Sequence, residues 1–247
     1  MDLQAQLANL KPSVVASPWP QHEHVRGYGV FGLPLSSGHV LALRVFPIND
    51  FAPYVTIWHR NPAGAWTIHY DAPRPDVACP RYYGPATRTV QAAHIALQWS
   101  GPADLAIRMD QPELIWTVHM RETRALSVLN RISGALPFWS WQHEALLKPR
   151  EWVARLLGLG TLHLAGVMPS GHFGILMPQQ MYFVERSHAL LDGQDLGSPA
   201  RASRNPMIGD VPLPARGVFA VGQAHWMIRD PEEFARTRAE LSRVHLD

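Results

Sequence analysis

Apolar residues recur at every second position through much of this chain, and the runs that carry them are short and separated by Pro and Gly. That period predicts strands. From about residue 26 to residue 121 the chain reads as successive strands, at 39–46, 90–99, 104–109 and 113–120 besides a hairpin at 54–71. In the hairpin, Tyr54-Val-Thr-Ile-Trp-His-Arg and Ala65-Trp-Thr-Ile-His-Tyr-Asp flank Asn61-Pro-Ala-Gly64. If all four of those residues form the loop, His59 faces Trp66 and Ile57 faces Ile68. One face then carries Val55, Ile57, His59, Trp66, Ile68 and Tyr70, and the other carries Thr56, Trp58, Arg60, Thr67, His69 and Asp71.

The period changes in the middle of the chain. Trp139, Trp141, Leu146, Leu147, Trp152, Leu156 and Leu157 have roughly helical spacing across 137–158, with Pro149 suited to a first turn and Gly158 to a stop. Residues 2–10 predict a short amphipathic helix on Leu3, Leu7 and Leu10. Strands resume at 161–167, 172–177, 181–185 and 216–227, with a turn at Leu191-Asp-Gly-Gln-Asp-Leu-Gly and a long Pro/Gly/Ser/Arg-rich loop over 197–215. Asp230 as N-cap, Pro231 at the first helical position and Glu232 and Glu233 behind it predict a C-terminal helix over 231–244. The expected fold is therefore mainly β: antiparallel barrel-like or lipocalin-like sheets in a single unit over 1–247, with a helical insertion near 137–158. Gly32-Leu-Pro-Leu-Ser-Ser-Gly-His39 and Gly166-Val-Met-Pro-Ser-Gly-His172 echo each other. They suggest two related β halves, 26–130 and 160–228, although two similar Ser-Gly turns would look the same.

Composition narrows the function classes. Charged residues make up 17% of the 247-residue chain and the net charge is only +2, which argues against a nucleic-acid binder held by many phosphate contacts. Of 22 basic side chains, only Lys11 and Lys148 are lysines, so chemistry that needs a lysine amine has two candidates. A single cysteine, Cys79, excludes an internal disulfide framework and points to a reducing, cytoplasmic setting. The N-terminus lacks the pattern of a signal peptide, and no stretch reaches the roughly 18 apolar residues of a membrane span.

Candidate chemistry is sparse. In the hairpin, His59 and Tyr70 stand as polar groups on the apolar face, with Asp71 beside them; they are the first candidates for proton transfer in a ligand cavity, although a buried His is most often a hydrogen-bonded core residue. Trp58, Trp66, Tyr82, Tyr83 and Trp116 are candidates for shaping a substrate pocket. The Pro-rich segment Asp71–Gly84 gathers Asp71, Arg74, Asp76, Cys79, Arg81, Tyr82 and Tyr83. It is the densest cluster of reactive groups, and a rigid loop with solvent-facing ion pairs fits it as well. His22-Glu23-His24 has ligand-like spacing, but no second cluster completes a metal site. No Gly-x-Ser-x-Gly elbow, dinucleotide fingerprint or phosphate-binding loop is present, so no cofactor or metal is expected.

The segments Gly32–His39, Gly166–His172 and Arg216-Gly-Val-Phe-Ala-Val-Gly222, within a strand-rich layout, resemble the lipocalin-like family that includes carotenoid 1,2-hydratases and related natural-product cyclases. The resemblance covers about residues 26–228 at the level of architecture and carries over no catalytic residue. It implies a barrel-like cavity for an apolar small molecule, and hydratase or cyclase chemistry, of lyase or isomerase type, would need a proton donor inside it. Two alternatives stand beside it. One is an acetoacetate-decarboxylase-like enzyme forming a Schiff base at Lys148. The other is a non-catalytic ligand-binding or interaction protein, the latter using the 197–216 loop.

Overall fold

The computed structural model describes residues 1–244, with side chains through Ser242. Its fifteen strands are β1 (Ser13–Val14), β2 (His22–Pro34), β3 (Val40–Asn49), β4 (Tyr54–Arg60), β5 (Trp66–Asp71), β6 (Thr89–Ala92), β7 (Ile95–Gly101), β8 (Asp104–Met109), β9 (Leu114–Arg121), β10 (Ala165–Val167), β11 (Phe173–Leu191), β12 (Gln194–Asp195), β13 (Met207–Ile208), β14 (Val211–Pro212) and β15 (Val218–Met227). Five α-helices accompany them: α1 (Leu3–Leu7), α2 (Pro80–Tyr83), α3 (Arg124–Ala135), α4 (Glu144–Leu156) and α5 (Pro231–Val244).

One sheet dominates, its main path running β6-β5-β4-β3-β2-β15-β11-β9-β8-β7. The two ends of that path, β6 and β7, are consecutive in the chain and joined only by Ala93 and His94. A ten-strand path laid flat would hold its ends about nine strand spacings apart, roughly 40 Å, and two residues span far less. The sheet therefore has to curl back on itself into a half-barrel. Ring contacts across the concave side agree: Tyr28 on β2 and Phe219 on β15 lie 6.4 and 6.5 Å from Trp99 on β7. Asp71 fastens the seam, its carboxylate accepting a hydrogen bond from the Ile95 N–H at 2.8 Å.

Glycines allow the curl. Gly27 on β2 stands opposite Gly222 on β15. A β-carbon at Gly27 would fall 1.9 Å from the Val45 carbonyl oxygen of β3, and one at Gly222 would fall 2.1 Å from that of Met177 on β11. Register shifts flank both sites, so the backbone coils where side chains are missing.

Both faces of the sheet are buried across β2–β5 and β15, whereas β7–β9 alternate buried concave residues with solvent-facing ones. The concave face packs Leu41, Leu43, Ile57, Ile107, Trp116, Val118 and Phe219 into one core. The outer face of β2–β5 and β15 packs Phe46, Trp58, Trp66, Ile68 and Trp226 against covering segments that include Tyr82 of α2. β5 and β6 run parallel, and a parallel pair needs a crossover. Residues 72–88 make it, carrying α2 across the outer face.

The hairpin register differs from the sequence expectation by one residue. His59 pairs with Thr67, Ile57 with His69 and Val55 with Asp71. Asn61 and Ala65 are joined by a 3.0 Å backbone bond, and Gly64 adopts φ +92°. The loop is thus the three residues Pro62–Gly64, with the left-handed glycine that such loops favour. A slip of one residue turns every side chain of β5 to the other face. His59, Thr67, His69 and Asp71 share the concave face with Ile57, whereas Tyr70 lies on the outer side with Trp58, Trp66 and Ile68.

Other boundaries moved for local reasons. The expected strand at 90–99 is two strands on opposite edges, and those at 172–177 and 181–185 are one bent 19-residue strand, β11. The helical insertion begins earlier than expected, with α3 capped by the Thr123 hydroxyl accepting from the Leu126 N–H at 3.2 Å. Pro149 is the sixth residue of α4 rather than part of its first turn. The C-terminal helix is capped as expected, Asp230 accepting from the N–H groups of Glu232 and Glu233 at 3.0 Å. Leu191–Gln194 is a tight turn with Asp192 and Gly193 both at positive φ. The two echoing segments form the same turn, Leu35 to His39 at 2.9 Å and Met168 to His172 at 2.8 Å. Asn61–Ala65 repeats it a third time, so the echo follows the chemistry of this turn.

Candidate functional site

A partly enclosed cavity of about 100 Å³ lies on the outer face of the sheet. Its wall is mostly apolar: Phe31, Phe46, Met177, Val218 and Trp226 come from the strands, and Leu159, Leu162 and Leu213 come from the segments that cover them. Arg44, Cys79 and Tyr83 are the three buried polar side chains in this wall, and His163 and Gln223 also line it.

The crossover helix positions two of the three. Arg81 on α2 binds Glu23 of β2 through Nε and Nη2 at 2.9 and 2.7 Å, and both side chains are buried. The Tyr82 hydroxyl donates to the same carboxylate, and its ring stacks on Trp226 at 3.8 Å. Held this way, α2 turns Cys79 and Tyr83 toward the sheet. The Cys79 thiol donates to the Tyr54 hydroxyl at 3.7 Å, and Tyr83 packs on Trp58 at 4.6 Å. Burial pushes the Cys79, Tyr54 and Tyr83 pKa values up, so all three groups are protonated and neutral near pH 7.

Arg44 comes from the centre of β3, where it interrupts the apolar run Val40–Phe46. Its side chain is 5% exposed. The guanidinium lies 4.0 Å from the Phe31 ring centre and 4.7 Å from that of Trp58. Nη1 donates to the carbonyls of Val30 (2.7 Å) and Leu43 (3.1 Å), and Nη2 donates to that of Phe31 (3.2 Å). The Trp226 Nε1–H also lines the cavity and has no hydrogen-bond partner among the described residues.

The residues singled out from sequence divide between three places. Tyr83 lines the cavity, while Trp58 forms the layer behind it. Tyr82 braces α2, Trp66 donates its indole N–H to the Met207 carbonyl at 2.6 Å, and Trp116 is concave core bonded to Ser187 at 2.9 Å. His59, Tyr70 and Asp71 lie away from the cavity, along the seam. His59 lines an open cleft of about 550 Å³ with Thr67, His69 and Gln111, while Tyr70 and Asp71 line a neighbouring one of about 400 Å³. Both clefts are larger than the cavity but open to solvent, so less of a ligand's surface would be covered there. His59 Nε2 is 2.7 Å from His39 Nδ1; burial, then His39 and His69, push its pKa down to about 4.

Lys148 is 59% exposed on α4 and paired with Glu144 at 3.6 Å and Glu151 at 3.4 Å. It is not part of the cavity wall. His22-Glu23-His24 is split between the two faces: Glu23 faces Arg81, while His24 meets Asp50 at 3.2 Å. Among the described residues, no three His, Cys, Asp or Glu side chains are grouped to hold a metal ion. Nor is any described helix long and apolar enough to cross a membrane.

Arg44 and Trp226 are the site residues that sequence reading passed over. The signal for Arg44 was one charge in an otherwise apolar strand. Comparison of the chain with protein-family models, with curated proteins and with solved structures returns no match.

Proposed function

We propose that this chain binds a small apolar molecule in the cavity between the outer face of the sheet and its covering segments. The observation that carries the reading is the enclosure: a mostly hydrophobic wall with a few fixed polar groups is how ligand sites are built. Its free volume of about 100 Å³ is of the same order as that of the engineered cavities, about 150 Å³, that take up benzene. This favours compact ligands over long polyenes, unless the covering segments move. The reading keeps the curled antiparallel sheet of the lipocalin-like resemblance but puts the ligand behind the sheet, because leucine, isoleucine and tryptophan side chains fill the concave side.

Acid-assisted hydration, isomerisation or cyclisation would need a proton donor on this wall. Tyr83 and Cys79 are the O–H and S–H groups available there, and their burial keeps them protonated. Such a step is an extension of the binding reading.

Toluene binding followed by NMR tests it. One molecule of toluene should bind per chain. Filling the cavity with Ala220→Leu should abolish binding, while Thr67→Val in the seam cleft should leave it unchanged. Binding that survives Ala220→Leu but is lost with Thr67→Val would move the site to the His59 cleft and overturn the proposal.

A further inference from the structure

Three arginines in this chain invite comparison. Arg81 holds Glu23 through Nε and Nη2, and Arg74 holds Asp76 through the same two nitrogens. That edge of the guanidinium matches the two oxygens of a carboxylate. Arg44 is as buried as Arg81, yet it has no carboxylate. A guanidinium carries five N–H donors. The three bonds to the Val30, Leu43 and Phe31 carbonyls occupy both donors of Nη1 and one of Nη2. Nε–H and the second Nη2–H remain, on the edge that grips carboxylates elsewhere in the molecule.

Among the described residues, the surroundings supply no counter-charge. Cys79, Tyr83 and Tyr54 are the titratable groups nearest Arg44, and burial keeps each of them neutral. A buried charge without a partner is costly, and such charges are normally paired. This one borders a cavity whose other free donor, the Trp226 Nε1–H, also lacks an acceptor. The flanking Phe31 and Trp58 rings and the three carbonyl bonds fix the guanidinium plane, so its open edge is preorganised.

We propose that the ligand is a small monocarboxylic acid, its carboxylate held by the Nε and Nη2 edge of Arg44 and its apolar body lying against Met177, Leu213 and Trp226. The proposal rests on the cavity being the binding site. A single guanidinium neutralises a single negative charge, so a doubly charged phosphate ester would leave excess charge in an apolar wall. A neutral molecule would leave Arg44 unpaired.

The test uses isosteric pairs, benzoate with benzamide and isovalerate with isovaleramide, titrated into the full chain by calorimetry. Each acid should bind at least ten times more tightly than its amide. Arg44→Met should bring the acid-to-amide affinity ratio to within twofold of one. If Arg44→Met does not fold, Arg44→Lys supplies the comparison: it keeps the charge, loses the two-pronged edge and should lose most of the preference. Equal binding of acid and amide to the unaltered chain would overturn the carboxylate assignment and leave the cavity reading standing. Failure of all four probes to bind would overturn both.

Discussion

Arg81 and Glu23 form a two-pronged ion pair at 2.9 and 2.7 Å with both side chains out of water, and it fastens the crossover helix to the second strand. Removing one partner of a buried pair leaves the other charge without compensation, at a cost of about 3–5 kcal/mol. Glu23→Gln should therefore lower the urea midpoint markedly. Ligand binding should weaken with it, because Cys79 and Tyr83 are carried on the same helix. Unchanged stability would mean that the pair does not hold the crossover.

The glycine pair at the bend is the second test. Gly222→Ala would set a methyl group 2.1 Å from the Met177 carbonyl oxygen. Neighbouring backbone cannot yield that far without breaking the ladder, so the variant should fold poorly or lose several kcal/mol, on the order of the largest single-substitution effects. Gly134→Ala on α3, with nothing within 4 Å of the added carbon, should instead be neutral or stabilising by up to about 1 kcal/mol. Denaturation midpoints of the two variants decide the matter.

His225 makes stability depend on pH. It is fully buried, and burial, followed by His24 and His22, pushes its pKa from 6.5 down to about 3. Between those two values the unfolded chain takes up a proton that the folded chain does not. Its contribution is therefore intact above pH 6.5 and is lost as pH falls toward 3, at a slope of up to about 1.4 kcal/mol per pH unit. Because carboxylates also titrate in this window, the readout is a difference. The stability of His225→Phe should fall less steeply than that of the unaltered chain between pH 6.5 and 4, and parallel profiles would count against the assignment.

Lys148 gives a contrasting expectation. Exposed ion pairs are worth about 0–1 kcal/mol, so Lys148→Gln should shift stability by no more than that. Borohydride reduction in the presence of acetoacetate should leave the intact mass unchanged, because this amine stands outside the cavity. A reduced adduct at Lys148 would revive the Schiff-base alternative.

These tests also mark what the sequence made legible. The strand at 104–109, the Asp192-Gly193 turn and the Asp230 cap depend on neighbours a few residues away, and each appears where local chemistry puts it. The register of β4 and β5 depended on one dihedral: with Gly64 left-handed, the loop loses a residue and Tyr70 moves to the face opposite His59. α3 escaped notice because the residue it buries one turn after Leu126 is Asn130, which bonds to the Met181 backbone at 3.1 and 2.8 Å, rather than an aliphatic side chain. The crowded segment 71–84 was recognisable as chemically dense. Its role as a cavity wall was not, since that depends on Glu23 and Trp226, far away in the chain. Arg44 was hidden for the same reason: an unpaired charge is defined by everything that fails to come near it.

The two-residue link between β6 and β7 has a consequence for how copies of this chain meet one another. Each end strand has one flank without a ladder partner, and such flanks are templates for joining another molecule's strand. Curling brings both flanks to a shared seam, where Asp71, His94 and the 110–112 turn crowd the approach. Severing the peptide bond between Ala93 and His94 would free the two rims to part. The product to expect is then edge-to-edge polymer rather than a pair of soluble fragments.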